Sequence, residues 1–198
     1  MSNGQSDLYN GNIKYNEVIF MNHIKTKLQV LCALFAALCA VCAQVVIPVQ
    51  PVPITLGTFA VLLAGGFLGA RYGLISLCIY ILLGIVGVPV FSMMKGGLAV
   101  LGGPTGGFII GYLPMVFLTG FIVEKMGATF KNALIATLCG TLACYIFGIG
   151  WFIVLTGKAI GAAFMLCMYP FIPGDLAKII ISSLIISRYK KRLLAENR

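Results

Sequence analysis

The chain has 198 residues, of which 60% are hydrophobic and 10% charged, and its formal net charge is +9 at pH 7. A mean hydropathy of +1.04 exceeds what a soluble domain of this size carries and excludes an ordinary water-soluble fold. The positive charge does not indicate nucleic acid, because most basic residues stand at the ends of apolar runs and no basic patch interleaved with aromatics occurs.

Several apolar stretches approach the ~20 residues needed to cross a ~30 Å hydrocarbon core. They are continuous rather than alternating, which argues against a membrane β-barrel. The first of them is one of about six, which argues against a cleaved leader. The expected fold is therefore an all-α integral membrane protein with six transmembrane helices. Residues 1–22 are polar and rich in Asn and Gly and are expected to form an N-terminal tail, with Met21 an alternative start and 1–20 an extension. Residues 23–190 are expected to form one six-helix membrane domain, and residues 191–198 a basic cytoplasmic tail.

In chain order, the first span is expected from Lys27 to Ile47, followed by a stiff link containing Pro48, Pro51 and Pro53. The second is expected from Leu56 to Ala70 and the third from Gly73 to Val88, ending at Pro89. Residues 89–106 read as a glycine-rich connection. The fourth span is placed at Gly107 to Val123 and the fifth at Asn132 to Leu155. The run from Ala159 to Tyr169 is 11 residues, too short to cross, and reads as an interfacial or partly inserted helix. The last span opens near Pro173 and ends at Arg188, Lys190, Lys191 and Arg192.

Charge placement orients this arrangement. With a cytoplasmic N-terminus, the inner segments carry Lys14, Lys25, Lys27, Arg71, Lys125, Lys131, Arg188, Lys190, Lys191, Arg192 and Arg198, and the outer segments Lys95, Lys158 and Lys178, 11 against 3. Both termini are then cytoplasmic. The proline link, the glycine-rich link and the entry to the last span converge on the extracellular side. Irregular backbone at membrane depth lines a cavity or is buried in protein, so a ligand pocket is expected near that face.

Seven cysteines lie in apolar segments and the single histidine, His23, lies outside the spans. Cys39 and Cys42 form a C-x-x-C, but no second pair or histidine cluster completes a metal site. The thiols read as small hydrophobes; neither metal nor disulfide framework is expected.

The strongest signal is Pro173-Gly174-Asp175-Leu176-Ala177-Lys178. The chain has five acids, and Asp175 is the one with the longest apolar context. An ionisable group at a helix centre costs roughly 2.5–3.5 kcal/mol on insertion scales and usually faces a cavity. Asp175 and Lys178, spaced i,i+3, share a helix face. They read either as the polar end of a small-molecule pocket or as an ion pair steadying the first helical turn after Pro173.

The run Gly102 to Gly107 either exposes backbone amides to a carboxylate or is a flexible turn; it lacks the lysine and spacing of a P-loop. Thr55 and Thr58 either cap the second span or help to lid a pocket. Ala33 with Ala37, and Ala36 with Ala40, make small-xxx-small faces for packing within the chain or against a partner. No catalytic constellation or ATPase signature occurs, so the chain is not expected to be an enzyme, and energy for moving a solute must come from a gradient or a partner. A proton or sodium relay is poorly supplied with charged residues.

Val52-Pro53-Ile54-Thr55, Phe59 to Gly65, Gly103-Pro104-Thr105-Gly106-Gly107, and Pro170 to Asp175 with Lys178, in this order across roughly residues 27–190, resemble the BioY family. That resemblance implies a multi-pass, biotin-specific S component of an energy-coupling factor (ECF) transporter in a prokaryotic cytoplasmic membrane. It also implies a partner T component and two cytoplasmic ATPases, which use the ATP; the chain itself needs no cofactor. Ala33 and Ala37 match the family's alanine motif for docking the T component. Gly57 stands where a glutamine is expected and Phe108 where a tyrosine is common, with Tyr112 one turn later.

On this reading Asp175 and Lys178 bond the ureido ring of biotin, Phe91 and Tyr112 pack its apolar portion, and Gly103, Thr105 and Thr55 meet its carboxylate, with Lys95 a further charge partner. Alternatives are an S component for another small vitamin, a stand-alone secondary transporter, or a membrane enzyme or structural subunit.

Overall fold

The computed structural model describes residues 26–195, with side chains to residue 190. The tail 1–22, His23 and the side chains of Lys191 and Arg192 lie outside the described residues. Helix α1 spans Thr26–Gln44. It is followed by strands β1 (Val46–Ile47) and β2 (Ile54–Thr55), then α2 (Gly57–Ile85), α3 (Gly106–Met126), α4 (Phe130–Thr156), α5 (Ile160–Cys167) and α6 (Ile172–Ala195). The architecture is thus mostly helical, as its composition requires.

The first helix stops three residues short of the expected end. Proline has no N–H and forces the residue before it out of the helical region, so Ile47 ahead of Pro48 is extended. Val46 pairs with Thr55 and Ile47 with Ile54 in an antiparallel ladder. The proline link is therefore the loop of a small hairpin rather than a simple spacer.

Helix α2 contains the largest departure from the expected layout. Its 29 residues would reach about 43 Å if straight. Instead Gly69 adopts φ 81° and ψ −175°, a backbone geometry that is essentially glycine's alone, and the chain turns back on itself. A Cβ on Gly73 would stand 3.5 Å from Gly65 Cα, so the arms 57–68 and 70–85 run side by side. Both expected segments are present, but one glycine joins them where a linker was expected. The second arm ends at Ile85, short of the expected Val88, because Val88 precedes Pro89 and Gly87 turns the chain at φ 109°.

By length and composition α1, α2, α3 and α4 each qualify as membrane spans, and α5 with α6, bent by 58°, qualify together as another. That gives four spans among the described residues, or five with the bent pair, where six were expected. α3 and α4 match their expected positions to within three residues at each end. Thr129 caps α4, its hydroxyl accepting from the Asn132 amide at 3.4 Å, and Gly157 closes it in the left-handed region at φ 64°. α6 runs on to Ala195, so part of the expected tail is helical. Leu, Lys, Arg and Ala favour helix whether or not lipid surrounds them.

α3 packs between α2 and α4, and α6 lies against both. Backbone meets backbone in this layer: a Cβ on Gly140 would stand 2.9 Å from the Met115 carbonyl, and one on Gly120 2.3 Å from the Ala70 amide. Small residues give such close approach in lipid, where packing and polar contacts replace the hydrophobic driving force. The Thr137 and Ser183 hydroxyls hydrogen-bond at 2.9 Å between α4 and α6. α1 is pinned to α2 by Ser76, whose hydroxyl donates to the Cys32 carbonyl at 2.8 Å.

The cysteines among the described residues are free. Four are buried, Cys42 and Cys139 are half-buried, and Cys78 is exposed. Of the two alanine faces on α1, Ala36 joins the core, whereas Ala33 and Ala37 point outward.

Gly120→Ala should destabilise the protein by about 2 kcal/mol or more through overpacking against Ala70. Gly150→Ala, which meets nothing within 4 Å, should be neutral or stabilising by up to about 1 kcal/mol. Thermal unfolding in detergent checks the pair.

Candidate functional site

The first turn of α6 is built by its entry sequence. Pro173 suits the opening turn, where no intrahelical partner is required of its nitrogen, and the Asp175 amide donates to the Phe171 carbonyl at 2.8 Å. Asp175 and Lys178 are therefore one turn apart on the inner face, 7% and 9% exposed. Lys178 Nζ lies 2.8 Å from Asp175 Oδ1.

The pair is not an isolated intrahelical bridge. Lys178 Nζ also donates to the Thr55 carbonyl at 2.7 Å and to Thr58 Oγ1 at 3.1 Å. Asp175 Oδ2 accepts from the Tyr145 hydroxyl of α4. One ion pair thus ties α6 to the β2–α2 junction and to α4. Burying either charge costs several kcal/mol, and these neighbours meet that cost with hydrogen bonds to both partners.

The pair forms the polar end of a partly open cavity. Tyr80 and Phe91 meet edge to face across one wall, centroids 5.7 Å apart at 83°. Phe108 and Phe171 stack on another at 6.4 Å and 8°. Tyr112, Val52 and Ala43 add further apolar surface, while Ser92, Thr105 and Thr141 supply hydroxyls. Aromatic walls around a few convergent polar groups are the usual make-up of a small-molecule site. The reversal at Gly69 is what brings Thr58 and Tyr80, from opposite ends of α2, to the same cavity.

Of the residues singled out from sequence, Asp175, Lys178, Thr55, Thr105, Tyr112 and Phe91 line this cavity. Gly103 does not. Its amide donates to the Val100 carbonyl at 3.2 Å and its carbonyl accepts from Trp151 Nε1 at 3.1 Å, so the turn consumes the groups expected to face a carboxylate. Gly103 and Lys95 instead line an adjoining open hollow, which shares Pro53, Ser92 and Thr105 with the cavity. Neither threonine caps α2 as a simple N-cap, a position held by Leu56. Thr55 Oγ1 accepts from the Gly57 amide at 3.2 Å, and Thr58 is bonded to Lys178. Ala33 and Ala37 lie on α1, outside the cavity lining.

Sequence reasoning missed Tyr145 and Gln44. Both are polar groups inside apolar helices, which by itself calls for a partner. Gln44 holds the wall segment 89–95: its Nε2 donates to the Phe91 carbonyl at 3.1 Å and its Oε1 accepts from the Met94 amide at 3.0 Å. Met93 and Met94 have φ of 62° and 56°, a costly conformation for residues with a side chain, so this clasp sets the shape of the wall carrying Phe91. Among the described residues no group of three or more His, Cys, Asp or Glu side chains could hold a metal.

The chain matches the BioY family over residues 16–195. It is 38% identical over 160 residues to the biotin transporter BioY of Thermotoga maritima, covering 80% of this chain and 92% of that protein. A probable biotin transporter BioY of Pyrococcus horikoshii is 38% identical over 165 residues, covering 83% and 97%. The crystal structure of the S-component for biotin from an ECF-type ABC transporter superposes with a TM-score of 0.80 at 31% identity, covering 86% of this chain and 94% of that one.

Gln44→Ala should leave the helices in place but loosen the wall. Hydrogen exchange followed by mass spectrometry should show at least tenfold faster exchange in peptides covering 89–97, with α3 and α4 unchanged.

Proposed function

The chain belongs to the BioY family, and we propose that it captures biotin as the substrate-binding subunit of an ECF-type transporter. The observation that carries the reading is the Asp175–Lys178 pair, buried at the end of an aromatic cavity, in a chain similar along most of its length to proteins named biotin transporters.

Biotin has the matching chemistry: an uncharged cyclic urea, an apolar ring and chain, and a terminal carboxylate. One ureido N–H donates to the Asp175 carboxylate. Of the Lys178 hydrogen bonds, that to Thr58 Oγ1 is the longest at 3.1 Å, and the ureido carbonyl takes that place. Phe91, Tyr80, Phe108 and Tyr112 pack the apolar ring and chain. The valerate extends toward Thr105 and Ser92, where the cavity meets the hollow lined by Lys95. A ligand entering such a site needs every polar atom satisfied, which is how one oriented charge pair selects a urea.

The proposed topology counts the two arms of α2 separately and the α5–α6 unit once, for six crossings, with both termini cytoplasmic. Lys27, Arg71, Lys125, Lys131, Arg188 and Lys190 occur at the helix ends opposite the cavity, whereas Lys95 and Lys158 occur at the cavity end. This asymmetry favours a cavity open to the outside of a prokaryotic cytoplasmic membrane. ATP is consumed by two partner ATPases, and a T component docks on the outward Ala33–Ala37 face of α1. The chain itself uses no cofactor and catalyses no reaction.

Calorimetric titration of the detergent-purified chain should give tight biotin binding, in the nanomolar range. Asp175→Asn should weaken it about a hundredfold, because charge-assisted hydrogen bonds contribute about 1.5–3 kcal/mol each. Lys178→Met should cost about 3–5 kcal/mol of stability by leaving Asp175 without its cation. Gly103→Ala should bind within about threefold of wild type. Absence of biotin binding by a folded wild-type chain would overturn the proposal, and competition with other vitamins would then identify the ligand.

A further inference from the structure

The polar end of the cavity contains an acceptor surface that the ion pair alone does not explain. An ionised carboxylate offers about four lone-pair sites. Lys178 occupies one on Oδ1 and the Tyr145 hydroxyl one on Oδ2, leaving the others for a ligand. Tyr145 spends its single proton on Asp175, so its phenolic oxygen keeps acceptor capacity. It stands on α4, thirty residues before Asp175, and both residues line the cavity. The three ammonium protons of Lys178 are engaged by Asp175, Thr55 and Thr58. The cavity therefore presents a carboxylate and a phenol oxygen side by side, backed by a cation whose one exchangeable donor is the 3.1 Å bond to Thr58 Oγ1.

We infer that Tyr145 is a specificity-determining residue: its hydroxyl holds the Asp175 carboxylate in place, and its free lone pair joins that carboxylate in receiving a ureido N–H of the ligand. This deepens the biotin reading and rests on it. A role limited to satisfying Asp175 in the empty protein would make Tyr145 indifferent to the ligand's N–H groups. An acceptor pair makes it sensitive to them. Without the hydroxyl, the carboxylate is free to rotate toward Lys178 and turn both oxygens to the cation, away from the cavity.

The test compares biotin with a biotin derivative methylated on both ureido nitrogens, titrated into wild type, Y145F, D175N and the double variant. Biotin should bind Y145F about tenfold more weakly than wild type, the scale of one hydrogen bond to a charged group. The methylated derivative should bind wild type weakly and lose nothing further in Y145F. In the D175N background the tyrosine substitution should change biotin affinity by less than tenfold, because the carboxylate it orients is gone and only its own acceptor contact is lost. Equal losses for both ligands in Y145F, unchanged biotin affinity in Y145F, or a full tenfold loss in the D175N background would each overturn the inference. The ratio of the two ligands' affinities remains readable if Y145F melts at a lower temperature. Failure of wild type to bind biotin would instead overturn the functional reading beneath it.

Discussion

An ammonium ion 2.8 Å from a carboxylate, both nearly out of contact with solvent, is the constraint around which this molecule is arranged. Two such charges cannot be buried in an apolar protein unless the surroundings offer hydrogen bonds to each. The donors and acceptors come from three places far apart in sequence: Thr55 and Thr58 at the head of α2, Tyr145 in the middle of α4, and the first turn of α6. Holding them together requires the helix ends to meet at one side of the membrane domain. The hairpin closed by β1 and β2 delivers Thr55, and the 58° bend between α5 and α6 sets the first turn of α6 beside it.

Glycine makes that convergence compatible with a thin hydrocarbon layer. Two arms of α2 are needed to carry Thr58 and Tyr80 to the same end, and the reversal at Gly69 provides them without a loop. The same region needs backbone-to-backbone contact with α3, which Gly120 allows at distances no side chain would tolerate. In lipid such close packing stands in for the hydrophobic effect. The helices are thus held by shape and a few interior hydroxyl contacts, while the polar end of the cavity is held by charge.

Fold class was legible because apolar run length is a one-dimensional property. α3 and α4 stand within three residues of where their hydropathy places them. Boundaries set by proline were legible in kind but not in extent. Pro48 announces the end of α1, yet the pairing of Val46 with Thr55 depends on a partner nine residues away. The reversal at Gly69 was hidden because Ala64 to Gly73 contains several glycines, and only the packing of Gly65 against Gly73 singles out one of them. In the cavity, the residues marked by charge or by proline and glycine motifs could be nominated from the chain. Tyr145 and Gln44 could not, since a polar group in a span signals that a partner exists without saying which.

By itself, then, the amino-acid sequence determined a helical membrane protein, the ends at which its basic residues collect, and the i,i+3 placement of Asp175 and Lys178. These are matters of local spacing and composition, which neighbours in space cannot alter. Tertiary structure alone decided that Lys178 grips Thr55 and Thr58, that Tyr145 reaches Asp175, and that the Gly103 amide is spent inside its own turn rather than offered to a ligand. Those outcomes depend on which backbone groups are already paired and which helices touch. Hydrogen bonding is a competition settled by distance in three dimensions, and separation along the chain carries no record of it.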